Sequence, residues 1–168
     1  MSSPIKSLVQ NYSSFNTWAN KRIVEWLKSL PSDILTAEVK SSYTSIDFTL
    51  QHILRTQRIW LYFINEKDTS GLNWNVRHGE TEAVLKELIE VSEAMEDTFG
   101  KLSDEELSQI MHLDTPWAKN DLPRYEYIIH IVNHGSFHRG QIITIARTLG
   151  ITEGVVNTDY NIFNTLKR

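Results

Sequence analysis

The chain has 168 residues, a net charge of -4 and no cysteine. This length predicts one domain spanning residues 1–168, and the acidic balance excludes a dedicated nucleic-acid-binding protein, which needs a basic surface. Without cysteine there are no disulfides, no thiolate metal ligands and no protein thiol nucleophile. The N-terminus lacks the apolar core of a signal peptide, and no apolar stretch reaches about 20 residues. We therefore expect a cytoplasmic protein with no membrane partner.

Apolar residues three and four positions apart predict four long helices. Their approximate bounds are Ile5 to Leu30, Ser45 to Ile64, Thr81 to Phe99 and Pro123 to Leu149. Ser45 is a suitable N-cap for the second helix, because its hydroxyl can accept from a free amide of the first turn. Gly100 and Gly150 are suitable stops for the third and fourth helices.

The remaining segments carry weaker signals. Residues 65–79 are predicted to form a loop, and the spacing from Ser103 to Glu106 is that of a capping box, which predicts a short helical turn. Residues 109–121 are predicted to be irregular, with a brief extended piece near Met111 to Leu113. The tail 151–168 is expected to lie on the helices through Tyr160, Ile162 and Phe163. Together these elements predict an all-α protein, a four-helix bundle.

Three histidines follow one another at intervals of four on the fourth predicted helix: His130, His134 and His138. Each step of four turns the helix by only about 40°, so neighbouring imidazoles lie on one face, a turn apart. His134 and His138 fall beside the apolar strip of this helix and are expected to point inward. Two imidazoles placed in this way can reach one metal ion.

A third ligand is expected from a facing helix, because catalytic zinc usually takes three protein ligands and leaves one position open. His52, on the apolar second helix, is the candidate. Imidazole suits zinc, nickel, copper and iron alike, so the ligand type does not select the metal. The competing interpretation is that these are core histidines hydrogen-bonded to backbone carbonyls. His78 and His112 are interpreted as solvent-exposed loop residues.

Three segments together resemble the DinB family of the DinB/YfiT-like metalloenzyme superfamily. They are YSSFNTWAN at 12–20, the segment 45–60 with His52 eight residues before Trp60, and NHGSFHRGQ at 133–141. The resemblance spans about residues 8–163. It implies a four-helix bundle with a long crossover connection, often a homodimer, and a metal site formed by His52, His134 and His138.

One position departs from the family pattern. Members often have a second histidine directly before the last ligand, where this chain has Phe137. The departure leaves the spacing of His134 and His138 intact. His130 matches a position that is often histidine in the family, and we interpret it as a residue behind the ligands or in the core.

Some family members are transferases or isomerases that use a low-molecular-weight thiol, so the resemblance implies a metal-dependent thiol transferase acting on small electrophiles. A divalent ion with an open position, zinc or nickel foremost, can lower the pKa of a bound thiol. Two alternatives stay open. One is metal-assisted hydrolysis, for which the nearest acids along the ligand-bearing helices are Glu126 and Asp47. The other is a non-catalytic, stress-associated metal-binding protein.

The residues around the motif have mostly structural interpretations. Gly135 and Gly140, inside a helix, predict close approach of another helix or subunit. Arg139, about 100° from a ligand, is expected to pair with an acid near the surface or an interface. Gln141 lies either at the mouth of the site or on the surface. The others are candidates for core packing or for a pocket wall: Tyr12, Trp18, Asn20, Trp60 and Trp74.

Overall fold

A computed structural model describes residues 2–68 and 79–167 of the chain. These residues form seven helices and one two-stranded sheet. In chain order the elements are α1 (Pro4–Lys28), α2 (Ser32–Thr36), α3 (Ile46–Ile64), α4 (Thr81–Lys101), α5 (Asp104–Ser108), β1 (Ile110–Thr115), β2 (Ala118–Pro123), α6 (Arg124–Thr148) and α7 (Tyr160–Leu166).

Helix boundaries follow the capping signals of the sequence. Ser45 accepts a hydrogen bond from the amide of Phe48 and caps α3 as predicted, and Ser103 and Glu106 form the predicted capping box of α5. Helix α4 continues past Gly100 to Lys101, so the predicted stop at this glycine is wrong. Gly100 keeps helical backbone, and the helix ends only where Leu102 turns extended.

The four long helices bring the predicted ligand helices together. Helix α3 packs against α6 and α4, and α1 packs against the same two helices. Between them lies an apolar core to which all four contribute, and its fully buried members include Ile23, Leu50, Leu54, Leu88 and Ile142. Because α3 and α6 are neighbours, side chains on their facing sides can meet. None of the described helices combines the length and apolar character needed to cross a membrane.

The structure corrects the all-α prediction between α5 and α6. Residues predicted to be irregular form an antiparallel hairpin in which Ile110 pairs with Pro123 and Thr115 with Ala118. Its second strand has three consecutive exposed polar residues at 119–121, so it lacks the alternation of apolar and polar residues that indicates a strand. The hydroxyl of Tyr127 joins the hairpin to α6 by donating to the carbonyl of Asn120 at 3.0 Å.

The tail contains the short helix α7, which packs on α1. Phe163 is buried beside Phe15, and Tyr160 also contacts that ring, as predicted for this segment. Ile162 is 40% exposed, so its predicted contact with the helices is wrong. It lies one position from Phe163 on the helix and therefore faces about 100° away. Residues 69–78, which hold most of the predicted loop, lie outside the described residues.

Candidate metal centre

The structure brings His52, His134 and His138 into one cluster at the contact between α3 and α6. The Nε2 atoms of His52 and His134 lie 3.2 Å apart, and those of His134 and His138 lie 3.1 Å apart. One ring nitrogen from each of the three residues lies within 4.8 Å of the other two. The edge-on contact of His134 with His138 comes from their spacing of one turn on α6, and His52 reaches them from the facing helix.

These separations fit three ligands of one ion. Nitrogens about 2.0–2.1 Å from a tetrahedral zinc would lie about 3.4 Å from one another. The cluster is also poorly satisfied by hydrogen bonds alone. A neutral imidazole has one donor and one acceptor, and the central Nε2 of His134 faces two other ring nitrogens. A shared cation satisfies all three lone pairs at once, so the donor set fits a divalent metal.

Contacts behind the cluster orient two of the imidazoles. Nδ1 of His138 lies 2.6 Å from Oε1 of Gln141, and since that oxygen only accepts, Nδ1 donates and Nε2 keeps its lone pair. Gln141 therefore contacts the histidine cluster, whereas the sequence left its position open between the mouth of the site and the surface. The guanidinium of Arg55 lies 3.2 Å from Nδ1 of His52.

All three imidazoles are held neutral. The pKa of His52 is lowered to about 3, first by burial and then by the nearby charges of His138, His134 and Arg55, in that order. Burial, followed by the charges of His138 and His130, lowers the pKa of His134 to about 4. Burial also lowers the pKa of His138, against a smaller opposite effect of Gln141. Neutral imidazole is the form that binds metal, so no proton has to be removed near neutral pH.

Tyr43 completes the cluster, and sequence reasoning missed it. Its ring stacks on His52 with centroids 4.5 Å apart and meets His138 edge-on at 5.6 Å. Burial raises the pKa of its hydroxyl, against a smaller lowering by Arg55. Tyr43 lies in the connection between α2 and α3, where neither periodicity nor spacing indicates which element a side chain will contact.

A cavity of about 710 Å³ opens beside the histidines. It lies between α3, α6 and the hairpin, and His52, His134 and Arg55 form part of its wall. Its apolar lining consists of Ile59, Trp60, Phe63, Leu113, Pro116 and Trp117. Trp60 therefore belongs to a pocket wall, one of the two roles considered for it. A largely apolar cleft with a few polar groups at one end is the usual form of a small-molecule site.

His130 lines this cavity one turn before His134. Its ring meets Trp60 edge-on at 5.2 Å and lies 6.0 Å from the ring of His134. Burial lowers its pKa. It lies outside the three-histidine group and in the cavity wall, so the core interpretation is wrong, and a role behind the ligands stays a prediction.

The predicted acids do not reach the histidines. Asp47 is buried at the start of α3, where it accepts a hydrogen bond from the hydroxyl of Thr81 at 2.7 Å. Glu126 is exposed in the first turn of α6. Asp114 is the carboxylate among the described residues that line the cavity, and it pairs with Lys119 at 2.9 Å.

The prediction for Arg139 is wrong. Its side chain is 1% exposed and donates to the oxygens of Asn16 and Asn20 on α1, instead of pairing with an acid near the surface. Helix α6 packs on α1 as well as on α3, so it has two inward faces. Gly135 faces the same contact, where an added Cβ would meet Asn16 at 3.2 Å, but Gly140 has no such neighbour within 4 Å. Close approach of another helix is thus correct for the first glycine and wrong for the second, where approach of a partner subunit stays a prediction.

Other predicted residues lie away from the cluster or at its edge. Phe137, at the departure from the family pattern, is 63% exposed and meets His138 edge-on at 5.1 Å. His112 is exposed and lies 2.7 Å from Asp121. Tyr12 and Trp18 pack against α7. His78 and Trp74 lie outside the described residues.

Comparison with known proteins agrees with this geometry. The sequence profile of the DinB family matches residues 1–166. The chain is 29% identical to the protein DinB of Bacillus subtilis over 161 residues, which cover 89% of each chain. The crystal structure of a DinB-like protein from Bacillus cereus superposes with a TM-score of 0.63 at 18% identity, covering 84% of this chain and 92% of that one. The chain therefore belongs to the DinB family.

Proposed function

We propose that this protein binds one divalent metal ion, zinc or nickel, through His52, His134 and His138. The observation that carries the proposal is the convergence of three imidazoles beside a cavity, where Nε2 of His134 lies 3.2 Å from that of His52 and 3.1 Å from that of His138. Three neutral imidazoles leave the charge of the ion uncompensated and leave room for a further ligand. Imidazole nitrogens suit both metals, which is why the proposal names two.

The reaction we propose is transfer of a low-molecular-weight thiol to a small electrophile. When bound, the ion supplies positive charge that favours the thiolate over the thiol. The carbon–sulfur bond forms as the bond to the leaving group breaks, and the thiol proton leaves with that group. The thiol must be a cosubstrate because the chain has no cysteine.

The chain's own residues bind and orient the reactants. Gln141 accepts from Nδ1 of His138 and so keeps the Nε2 lone pair of that imidazole directed at the other two histidines. Trp60 and Ile59 give the cavity an apolar wall that limits the access of water to the reacting atoms. Tyr43 covers His52 and restricts the position of its ring.

Hydrolysis is the weaker alternative. A hydrolase needs a general base near the attacking water, and the lining carboxylate, Asp114, is already paired with Lys119. A non-catalytic metal-binding protein is the remaining alternative. A site open to a cavity of about 710 Å³ favours chemistry over that role, since structural metal sites are usually closed.

Metal content tests the binding proposal first. Elemental analysis of protein purified without an affinity tag should find about one zinc or nickel ion per chain. The His138→Ala variant should have lost it. If the wild-type protein takes up neither metal even after incubation with both, the three histidines are core residues and the transferase proposal fails with the site.

Thiol conjugation tests the reaction. The metal-loaded protein would be assayed with bacillithiol, glutathione and a panel of small electrophiles, with the His52→Ala variant as the control. Activity above that of the variant supports the transferase. Activity that never exceeds that of the variant, in protein shown to hold metal, leaves a metal-binding protein with another role.

The finer architecture and the assembly state belong to the same proposal. We propose a single-domain four-helix bundle with a long crossover, because α1 and α3 each pack on both α4 and α6. The family resemblance supports a homodimer, and a cytoplasmic location is proposed on the N-terminal sequence and the lack of a long apolar stretch. The net charge of -4 supports the absence of a nucleic-acid partner, and no membrane partner is proposed. Sedimentation at several protein concentrations would test the dimer.

A further inference from the structure

Arg55 is a cation in the cavity wall, and no carboxylate of residues 2–68 or 79–167 pairs with it. It lies one turn after His52 on α3 and lines the same cavity. Its guanidinium contacts Nδ1 of His52 at 3.2 Å, and no ion pair joins it to a carboxylate in the described parts of the chain. Arg58, on the same helix, instead pairs with Glu87 at 2.6 Å. Among the described residues, the fold therefore supplies an anionic partner to Arg58 but not to Arg55.

Unlike the contact of Gln141 with His138, the contact of Arg55 with His52 is incompatible with metal on Nε2 of that histidine. A guanidinium has donors only, so Nδ1 of His52 must accept, and the proton of the neutral ring then lies on Nε2. Metal binding through Nε2 requires the other tautomer, with the proton on Nδ1. Two N–H groups would then point at each other. Loading of the site must therefore detach Arg55 from His52.

The charge of the loaded site calls for an anion. The three histidines are neutral ligands, so a divalent ion keeps its full charge there, next to the positive charge of Arg55. The lining carboxylate, Asp114, is balanced by Lys119. A cavity with excess positive charge favours the entry of anionic ligands. A thiolate at the metal would neutralise only part of this charge.

We propose that Arg55 is the anion-binding residue of the cavity: metal on His52 detaches it from that imidazole, and it then holds the carboxylate of a substrate. A carboxylate matches the planar fork of arginine, which can donate two parallel hydrogen bonds to it. The apolar body of this substrate packs against Trp60 and Phe63. The inference rests on the proposed metal site and names the class of its substrate, a carboxylate with an apolar or aromatic body.

Benzoate is a suitable probe, with benzamide as its uncharged counterpart. The protein would be loaded with cobalt(II), whose visible absorption changes when a new ligand reaches the metal. Calorimetric titration then measures benzoate affinity, and the absorption spectrum shows where benzoate binds. We expect binding to the loaded wild-type protein, an unchanged cobalt spectrum, and affinity for benzamide lower by about tenfold or more. Metal-free protein should bind benzoate more weakly than loaded protein, because metal and benzoate binding are then coupled.

Matched variants of one helix supply the decisive comparison. Arg55→Met should weaken benzoate binding by about tenfold or more, and Arg55→Lys should lie between it and the wild type, because lysine keeps the charge but not the fork. Arg58→Met removes the same charge outside the cavity and should bind benzoate as the wild type does. Arg55→Met should also bind cobalt at least as tightly as the wild type, a change opposite in sign to its loss of benzoate.

Each failure has a separate meaning. If the wild-type protein takes up no cobalt before any benzoate is added, the metal site itself is overturned. Normal cobalt uptake with equal benzoate affinity in Arg55→Met and wild type overturns only the role of Arg55. A cobalt spectrum that shifts with benzoate assigns the carboxylate to the metal and also overturns that role. Equal benzoate affinity with and without metal overturns the release of Arg55 from His52.

Discussion

Helix α6 contributes adjacent residues to two polar clusters, which differ in how far their polar groups are satisfied by hydrogen bonds within the fold. His138 belongs to three neutral imidazoles whose nitrogens converge beside a cavity and cannot all be satisfied by one another. Arg139 belongs to a nearly closed network, in which Nη1 donates to Asn16 at 3.2 Å and to Asn20 at 2.8 Å, and in which only Nε of Arg139 and Nδ2 of Asn16 are buried without a hydrogen-bond partner among the described residues. The first cluster is suited to receive a ligand, whereas most polar groups of the second have their partners within the fold.

The Arg139 network joins all four long helices. Beyond Asn16 and Asn20 on α1, it continues through Ser92 on α4 and Gln57 on α3 by hydrogen bonds of 2.9–3.3 Å. Burial lowers the pKa of Arg139 to about 9, which still leaves the guanidinium charged at neutral pH. Its charge is solvated by amide and hydroxyl oxygens and by the face of Phe15, 5.5 Å away. A buried charge held in this way is expected to matter for stability more than for chemistry.

Replacing Arg139 should have the largest effect on stability. Arg139→Ala removes a buried side chain, the donor to Oδ1 of Asn20 and one of the two donors to Oδ1 of Asn16, so we expect the free energy of unfolding to fall by about 3 kcal/mol or more. Urea denaturation of metal-free protein measures it. Arg58→Ala, which breaks a half-exposed ion pair with Glu87, should cost less than about 1 kcal/mol. Equal losses in the two variants would contradict the structural role of the network.

Metal should stabilise the protein through the histidines alone. Free zinc at about 100 times its dissociation constant should add about 2.7 kcal/mol to the free energy of unfolding. Thermal unfolding with and without zinc measures this gain, which should vanish in His138→Ala. The milder variant Asn20→Ala, altered only in the Arg139 network, should gain as much as the wild type. A loss of the gain in Asn20→Ala would show that the two clusters are not independent.

The sequence predicts the first cluster better than the second. The interval of four on one helix already pairs His134 with His138, and the family motif adds His52. Arg139 lies about 100° from a ligand on the helix and is therefore expected to pair with an acid near the surface or an interface. Helix α6 contacts both α3 and α1, however, and only the tertiary arrangement shows that its second face is inward.

Two further features depend on tertiary contacts that no local pattern encodes. Tyr43 lies in a connection rich in serine and threonine. It reaches the histidines because the connection from α2 to α3 passes beside them. The hairpin of β1 and β2 has no alternating strand pattern in its second half, and it is held by pairing and by the hydroxyl of Tyr127. The long helices, in contrast, follow directly from the period of their apolar residues.

Lowering the pH should reduce the stability of the protein through the histidine cluster and not through the Arg139 network, and this effect should be smaller than the two above. The pKa of a histidine in the unfolded chain is 6.5, whereas folding lowers it to about 3 for His52 and about 4 for His134. Below pH 6.5 the unfolded state therefore binds protons that the folded state does not, and stability falls as pH decreases toward about 4. Because both rings are partly exposed, the slope should be well below the limit of about 1.4 kcal/mol per pH unit for each proton.

Variants assign this slope to one cluster. Metal-free protein would be denatured with urea at about pH 7 and about pH 5. The double variant His52→Gln, His134→Gln should lose less stability between these values than the wild type. Arg58→Ala and Asn20→Ala should keep the wild-type difference, since neither changes a group that titrates in this range. An unchanged difference in the double variant would mean that other groups cause the acid sensitivity.

The smallest contrast comes from two glycines of α6. A Cβ at position 135 would meet Nη1 of Arg139 at 3.0 Å and Oδ1 of Asn16 at 3.2 Å, whereas a Cβ at position 140 would meet nothing within 4 Å. Gly140→Ala should therefore raise the free energy of unfolding by about 0.5–1 kcal/mol, through helix propensity alone. Gly135→Ala has the same propensity gain but displaces the guanidinium, so urea denaturation should show no gain or a net loss. Equal stabilisation by the two substitutions would mean that the Arg139 network adjusts freely, and the closed character assigned to this cluster would be wrong.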